Sequence, residues 1–583
     1  MSEDTVLRQA QDTVGRVIGT KEARPLEFWL GVGPEGYVQL DEVVAVTTKL
    51  PTPLPDGRDE VVHYGVVDAV ESAYEGASFH SDVFRDAEGT LPVSVSTIAH
   101  VSVTRVAMRP KEPEAEVLVP PRPGQPVRRA SIEDREVALY FDKMERRFPA
   151  GLSRDGKPVY GNLEFLDGSR GAHVNISGIS GVATKTTYAL FLLYGLFHGN
   201  SLRNPHSSHA IVFNVKGEDL LWLDKPNAKL PADEGRRYEA LGLPVGPFAD
   251  VGLWAPAQRG EVVVPDTGSR SEGVDAYYWT LRQFCRDRML RFLFADADDE
   301  TSQLSFVVSQ VERFLEAQME HQAPDRGDIA LRLPGVDSGL AVRSLDELVD
   351  VVCSFIEGIA PRAAQGTHQA FARRFEAAAA AVSPLIRAER EADAAKHRFD
   401  WSKHQVSVID INRLNDRAKR FVVGVVVKRL MEDKEGTSGR EPLVFLVLDE
   451  LNKYAPREGR SPIKEVVLDI AERGRSLGVV LIGAEQTASE IERRVTANAS
   501  FRVVGRLDAA EAQRDEYGFL TSSARVRASI LKPGSMFLQQ PDVPVPLLVQ
   551  FPFPAWATRA DEVAGAALDA DELFARVQRN NRP

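Results

Sequence analysis

The residues best suited to bind a phosphate lie in one stretch, where the sequence reads VNISGISGVATKTT. An apolar run leads into a turn that contains Gly178 and Gly181, and Lys185, Thr186 and Thr187 follow. Glycines let consecutive backbone N–H groups turn toward a phosphate, and the N-terminus of a following helix adds partial positive charge. A lysine reaches the outer phosphates, and a hydroxyl holds Mg²⁺. The stretch therefore predicts a phosphate-binding loop between a strand and a helix.

The spacing of this loop departs from the usual pattern G-x-x-x-x-G-K-[ST]. Gly178 lies seven residues before Lys185, and Thr184 occupies the position of the last glycine. A non-glycine side chain restricts the backbone just before the lysine. Taken alone, the loop leaves a second interpretation open, which is a tight strand-to-helix turn that binds no ligand.

Two carboxylates that suit nucleotide hydrolysis follow a second apolar run, in the segment EPLVFLVLDE. If that run is a buried strand, Asp449 and Glu450 lie at the sheet edge where the phosphate loop opens. Asp449 would hold the shell of Mg²⁺ through water, and Glu450 would polarise the attacking water. A core strand that ends in a polar turn is the alternative. The order of the two segments favours an ATPase.

Three further side chains suit the same reaction. Gln486 ends the next apolar strand, where an amide senses the γ-phosphate through the attacking water. Arg475 and Arg506 are candidate arginine fingers, which would be supplied across a subunit interface. The alternative for each arginine is a surface salt bridge.

The elements that must position these residues change character along the chain. Short Val- and Thr-rich strands at 1–108 predict a small closed barrel. From Gly151 onward, apolar strands alternate with helical patterns, which predicts a parallel sheet with right-handed crossovers. Ser131 and Asp134 predict a capping box for a helix that runs to about Arg147.

The predicted fold class is therefore α/β, with an N-terminal β-barrel and a helical insertion. The predicted strands of the α/β part are His173–Ser177, Ala210–Asn214, Val406–Ile411, Leu443–Leu448, Val479–Ala484 and Phe501–Val504. The predicted divisions are the barrel at 1–108, a Pro-rich linker at 109–130, the core with the phosphate loop at 131–274, the helical insertion at 275–400, the second part of the core at 401–560 and a polar helix or tail at 561–583.

Composition limits the classes of function. A net charge of −13 argues against a surface that coats nucleic acid broadly, although a local basic channel remains compatible with it. Cys285 and Cys353 lack metal-ligand spacing and are expected to be reduced, small hydrophobic residues. The polar start of the chain predicts no signal peptide, and its short apolar runs predict no spanning helix. We expect a cytoplasmic protein without a membrane partner.

The order of these segments resembles the HerA-type ATPases, in the FtsK–HerA branch of P-loop motors. The resemblance covers roughly 1–110, 150–220 and 400–555. The segments that carry it, besides the β-rich start, are GSRGAHVNISG, Lys185 with Thr186, IVFNVKGED, VFLVLDELNKYAP, IAERGRSLGVVLIGAEQT and SFRVVGRLD. The chain departs from its relatives at Asn214, where they usually carry Asp.

The resemblance implies a RecA-like P-loop ATPase sheet with a small barrel, which binds ATP and Mg²⁺. It implies that Lys185 binds the phosphates, that Thr186 binds Mg²⁺ and that Asp449 anchors the metal. It also implies that Glu450 is the catalytic carboxylate, Gln486 the sensor and Arg475 the trans arginine finger. It also implies a homo-hexameric ring around duplex DNA. An effector partner is implied as well, such as a nuclease or an NADase-type subunit in DNA-end processing or anti-phage defence.

Three functions follow as hypotheses. The first is an ATP-driven ring that moves on duplex DNA. The second is a nucleotide-gated ring scaffold that assembles and activates an effector with weak or no hydrolysis, which the atypical loop favours. The third is a ring ATPase that remodels proteins, which the acidic net charge fits mildly.

Overall fold

The structure is a computed structural model of the chain. It describes residues 13–34, 36–54, 57–75, 79–91, 94–109, 117–179, 185–217, 219–260, 262–268, 270, 272–294, 303–320, 322, 326–437 and 439–563. The chain forms two compact units. The barrel unit consists of Met1–Leu163 and Phe501–Phe551, and the parallel-sheet unit consists of Glu164–Ser500 and Pro552–Pro583.

Six antiparallel strands close the barrel in the order β1-β2-β5-β4-β3-β6. In chain order its elements are β1 (Thr13–Val17), β2 (Glu27–Val32), β3 (Val43–Lys49), β4 (Glu60–Glu75), α1 (Asp82–Ala87), β5 (Ser94–Arg109) and β6 (Pro126–Arg129). Alternate side chains such as Phe28, Leu30, Val44 and Val46 are buried inside it. Closure pairs every edge, so the predicted barrel is confirmed.

Two expectations at the end of the barrel are wrong. Strand β6 comes from the predicted Pro-rich linker and pairs with both β1 and β3. A proline is tolerated there because it is the first residue of the strand. The capping box at Ser131 is confirmed, but α2 spans only Ile132–Ala138. The helix stops before Tyr140, whose φ of 59° is left-handed, and β7 (Arg147–Leu152) then pairs with β8 (Pro158–Asn162).

The parallel-sheet unit contains most of the remaining elements. Its strands are β9 (Ala172–Ser177), β10 (His209–Asn214), β11 (Val251–Pro256), β12 (Val274–Tyr277), β13 (Trp279–Thr280), β14 (Ile329–Leu331), β15 (Leu340–Val342), β16 (Ile386–Arg387), β17 (Val406–Asp410), β18 (Val444–Asp449) and β19 (Val479–Glu485). Its helices are α3 (Lys185–His198), α4 (Glu234–Ala240), α5 (Leu281–Arg286), α6 (Gln303–Met319), α7 (Leu345–Ser354), α8 (Ile356–Ile359), α9 (Gln365–Val382), α10 (Glu391–Ala394), α11 (Asp416–Glu435), α12 (Pro462–Leu477) and α13 (Arg493–Asn498).

Seven of these strands form the parallel sheet, in the order β12-β11-β17-β10-β18-β19-β9. Strands β9, β10 and β17 are buried at every residue, which explains their continuous apolar sequences. Strand β19 lies between β9, which precedes the phosphate loop, and β18, which ends in Asp449. All seven carboxyl ends meet at one edge of the sheet. The predicted α/β fold class is therefore confirmed.

Helices α5 to α10 lie between the parallel strands β12 and β17 in the chain. Phe292, Phe371 and Phe375 belong to the same hydrophobic core as the α11 residue Phe421. The region predicted to be helical from Asp275 begins instead with β12, which pairs with β11. Four residues are too few for a period of 3.6 to be distinguished from a period of 2.

The chain returns to the barrel unit near its end. The last elements are β20 (Ala499–Val504), α14 (Ser522–Ala528), β21 (Ser535–Gln539) and β22 (Leu547–Gln550). The predicted strand at Phe501–Val504 is confirmed, and β20 pairs antiparallel with β21. Most of the polar helix predicted at 561–583 lies outside the described residues. Among the helices of the described ranges, none has the length and apolar character needed to cross a membrane.

Candidate functional site

Polar side chains gather at the carboxyl edge of the parallel sheet. Ser177 ends β9, Asn214 ends β10, Asp410 ends β17, Asp449 ends β18 and Glu485 ends β19. Each follows a buried apolar run, and parallel pairing brings the strand ends to one edge. The sheet therefore positions these groups beside the start of α3.

Lys185 begins α3 and is 3% exposed, with its ammonium inside the protein. Its Nζ donates to the carbonyl oxygen of Gly178 at 2.7 Å, across the predicted loop. Burial lowers the pKa of Lys185, and the opposing effect of Asp449 is smaller. The backbone N–H groups of the first helical turn have no partners within the helix, so lysine and helix start together suit an anion.

The hydroxyl of Thr186 meets the carboxylate of Asp449, which is more than 260 residues further along the chain. Thr186 Oγ1 donates to Asp449 Oδ2 at 2.8 Å. Asp449 Oδ1 accepts from the backbone N–H of Glu450, also at 2.8 Å. A hydroxyl and a carboxylate are oxygen ligands of the kind that Mg²⁺ prefers.

Glu450 has a left-handed backbone, with φ of 55°, and a carboxylate held by two lysines. Oε1 lies 2.8 Å from Lys216 Nζ, and Oε2 lies 2.8 Å from Lys453 Nζ. Burial raises the pKa of Glu450, but the hydrogen bonds from the two lysines outweigh it, so the pKa is below its ordinary value. A left-handed non-glycine residue costs about 1–2 kcal/mol, and such strain is concentrated at functional sites.

Glu485 is a buried carboxyl that sequence reasoning missed. It is fully buried, and Oε1 accepts a hydrogen bond from Ser177 Oγ at 2.7 Å. Oε2 has no hydrogen-bond partner among the described residues. Burial raises its pKa to about 8, although the bond from Ser177 opposes the shift. Glu485 is therefore mostly a neutral acid at pH 7. Its position at the end of an apolar strand was the available signal.

Asn214, where the resemblance leads us to expect Asp, has a specific partner. Its Nδ2 donates to Asp410 Oδ1 at 2.9 Å and to the carbonyl oxygen of Gly217 at 2.9 Å. Asn214 and Asp410 are each about 1% exposed. A carboxylate in place of this amide would face the Asp410 carboxylate in a buried site, which is unfavourable. The amide is therefore explained by the neighbouring strand.

A cleft of about 240 Å³ opens beside these groups in the parallel-sheet unit. Its lining includes the start of α3 (Lys185, Thr186 and Thr187), the end of β10, Lys216, Asp449 and the chain segment at 553–562. In that segment Arg559 Nε donates to Asp219 Oδ1 at 3.1 Å. Lys216 and Arg559 were missed because only the folded chain brings them to the lysine of α3.

The predicted site residues divide into those the structure brings together and those it does not. Lys185, Thr186, Thr187 and Asp449 line one cleft, and Glu450 follows Asp449. Gln486 is exposed, directly after the buried Glu485. Gly178 precedes the loop and its N–H donates to the carbonyl oxygen of Glu485 at 3.0 Å. Gly181 and Thr184, which we expect to bind the nucleotide as part of the phosphate loop, lie outside the described residues.

Neither candidate arginine finger is placed in the cleft of its own chain. Arg475 lies near the end of α12, which leads into the amino end of β19. Its guanidinium donates to the carbonyl oxygens of Gly168 and Ser169 at 3.2 and 2.9 Å. Arg506 belongs to the barrel unit, where Nε donates to the carbonyl oxygen of Ser529 at 3.1 Å.

The site fits Mg²⁺ only as a metal shared with a nucleotide. The protein ligands on offer are the Thr186 hydroxyl and the Asp449 carboxylate. Within the described ranges, no cluster of three or more His, Cys, Asp and Glu side chains is arranged to hold a metal ion. Mg²⁺ commonly binds through one or two protein groups, with phosphate oxygens and water completing its shell.

Glu485→Gln should remove a pH dependence from stability. The folded pKa of about 8 exceeds the ordinary 4.5, so between these values the folded chain binds more protons than the unfolded chain. The contribution of Glu485 to stability should therefore be most favourable at low pH and fall with rising pH by on the order of 1 kcal/mol per unit across that window. Thermal midpoints measured from pH 5 to 9 should fall less steeply for the variant, which should also be the more stable protein at pH 8. The exposed Glu472→Gln is the control, and parallel profiles for wild type and Glu485→Gln would contradict the prediction.

The chain has limited similarity to known proteins. No family model matches it. A probable helicase of Methanocaldococcus jannaschii is 23% identical over 114 residues, which are 18% of this chain and 22% of the relative. The matched region thus spans only about a fifth of that relative's length.

Two solved structures match this chain at low sequence identity. VirB4 of Thermoanaerobacter pseudethanolicus is 14% identical, with a TM-score of 0.42 over 70% of this chain and 96% of that chain. The plasmid coupling protein TrwB in complex with ADP and Mg²⁺ is 12% identical, with a TM-score of 0.42 over 72% of this chain and 93% of that chain.

The arrangement of the chain's own elements matches the one expected of a P-loop ATPase. Three elements meet at one sheet edge. They are strand β9 before the predicted phosphate loop, the start of α3 with Lys185 and Thr186, and the carboxylates at the end of β18. These features of the chain's own structure agree with the P-loop arrangement that the resemblance to HerA-type ATPases implies.

Proposed function

We propose that this chain is the subunit of a hexameric ring that hydrolyses ATP and moves on duplex DNA in the manner of HerA-type translocases. The bond between Thr186 and Asp449 is the main support, because it joins the two halves of a Mg²⁺–nucleotide site beside Lys185. In this proposal a partner effector, of nuclease or NADase type, works with the ring in DNA-end processing or anti-phage defence.

The residues of the cleft have distinct tasks in this proposal. Lys185 and the first turn of α3 bind the phosphates, and Thr186 and Asp449 hold Mg²⁺, which neutralises phosphate charge when bound. Glu450 accepts a proton from the attacking water, because it stays ionised at neutral pH. Gln486 contacts that water from the end of β19, and Arg475 of a neighbouring subunit stabilises the charge on the phosphate.

The proposal predicts ATP turnover that duplex DNA stimulates. Contacts to DNA that read only phosphates depend strongly on salt. Steady-state hydrolysis should rise with linear duplex DNA, and the DNA concentration for half-stimulation should increase at least ~10-fold between about 50 and 200 mM salt. Native mass measurements should give a hexamer with nucleotide. A chain that remains monomeric with ATP, or turnover that is indifferent to DNA, would contradict the proposal.

A nucleotide-gated scaffold is the second candidate. It is favoured by Thr184 before Lys185 and by the two lysines that hold Glu450, since both features oppose fast hydrolysis. ATP binding without turnover, with or without DNA, would select this candidate. Turnover stimulated by an unfolded protein but not by DNA would instead indicate a protein-remodelling ring.

A further inference from the structure

The carboxylate of Glu450 lies between two lysines that differ in their surroundings. Its side chain is 14% exposed, whereas those of Lys216 and Lys453 are 47% and 40% exposed. Each ammonium lies 2.8 Å from a different oxygen of the carboxylate. An attacking water would have to share the Glu450 oxygens with these two cations.

Lys216 lines the cleft, whereas Lys453 is not among its lining residues. Lys216 follows β10 and lines the cleft together with Lys185, Thr186 and Asp449. Lys453 is not part of that lining, and its second partner is Asp416 at the start of α11, 3.9 Å away. A phosphate that enters the cleft therefore meets Lys216 but not Lys453.

We propose that Lys216 distinguishes nucleoside triphosphates from diphosphates and positions Glu450 accordingly. Its ammonium pairs with Glu450 in this structure and transfers to the terminal phosphate of a bound triphosphate, which frees one oxygen of Glu450 for the attacking water. The inference rests on the proposed ATP site and adds to it a residue that senses the third phosphate.

Charge and reach both support this exchange. A terminal phosphate offers three strong acceptor oxygens and a larger negative charge than a carboxylate, so it competes well for an ammonium. The lysine stem is flexible and half-exposed, so movement by a few ångströms requires no repacking of the core. A diphosphate lacks the terminal group and leaves Lys216 on Glu450. Lys453, tied between Glu450 and Asp416, continues to hold the other oxygen.

The test compares equilibrium binding of a non-hydrolysable ATP analogue and of ADP, each with Mg²⁺, to the full chain. Lys216→Met should weaken binding of the analogue by about tenfold or more and change ADP binding by less than about twofold. Lys453→Met is the matched control, and its ratio of the two affinities should equal that of wild type. Lys216→Arg retains the charge and should restore most of the preference for the triphosphate.

The outcomes distinguish failure of the Lys216 proposal from failure of the proposed ATP site. Equal losses for both nucleotides, or no loss for either, would overturn the role of Lys216 while leaving the ATP site in place. A selective loss in Lys453→Met as large as that in Lys216→Met would also overturn it. Failure of the wild-type chain to bind either nucleotide would overturn the proposed function and this inference with it.

Discussion

Glu450→Gln is expected to lower ATP turnover by about a hundredfold or more, because the variant cannot accept a proton from the attacking water. Glutamine has the size of glutamate, so nucleotide binding through Lys185 and Thr186 should persist. Steady-state hydrolysis and equilibrium ATP binding, measured on the same preparation, check both parts.

The exposed Glu357→Gln is the control for the Glu450 variant, because it removes one carboxylate far along the chain in α8. Turnover of Glu450→Gln within tenfold of wild type would show that another group accepts the proton. Loss of ATP binding together with turnover would show instead that Glu450 serves the structure of the cleft.

Arg475→Ala is expected to lower turnover by on the order of a thousandfold, the usual effect of losing an arginine finger. Arg475 lies at the amino end of β19, whereas the cleft lies at the carboxyl edge. A seven-residue strand spans about 20 Å, so this arginine is far from the cleft of its own chain. The role therefore requires a neighbouring subunit.

Mixing inactive subunits tests this requirement. Rings assembled from Arg475→Ala and Lys185→Met subunits contain interfaces where an intact lysine meets an intact arginine, so part of the activity should return. Arg473→Ala is the matched control, because Arg473 lies on the same helix and pairs with Asp469 and Glu435. Inactive mixed rings, or equal effects of both alanine variants, would assign Arg475 to its bonds with the carbonyl oxygens of Gly168 and Ser169.

The sequence predicted those elements whose signals are local. Continuous apolar runs gave the buried parallel strands, and Ser131 with Asp134 gave a helix start. Strands β6 and β12 were missed because each has four residues and depends on partners distant in the chain. The end of α2 was missed because nothing local marks Tyr140 as left-handed.

The same distinction applies to the candidate site. Lys185, Thr186, Asp449 and Glu450 could be proposed from the sequence because their types and order fit one reaction, and the structure brings the first three into one cleft. Lys216 and Glu485 could not be proposed in this way, since their contacts join strand ends that the sequence separates widely. The trans role of Arg475 stays a prediction, because it concerns a second subunit.

The pairing of Asn214 with Asp410 restricts which substitutions the buried sheet edge can accept. Both hydrogens of the Asn214 amide nitrogen are used, one on Asp410 and one on the carbonyl oxygen of Gly217. A single Asn214→Asp substitution would place two buried carboxyl groups in contact, which is unfavourable unless Asp410 also changes or one of the two binds a proton. The amide at position 214 and the acid at position 410 are therefore one functional unit of the sheet edge, and a change at either position alters the requirement at the other.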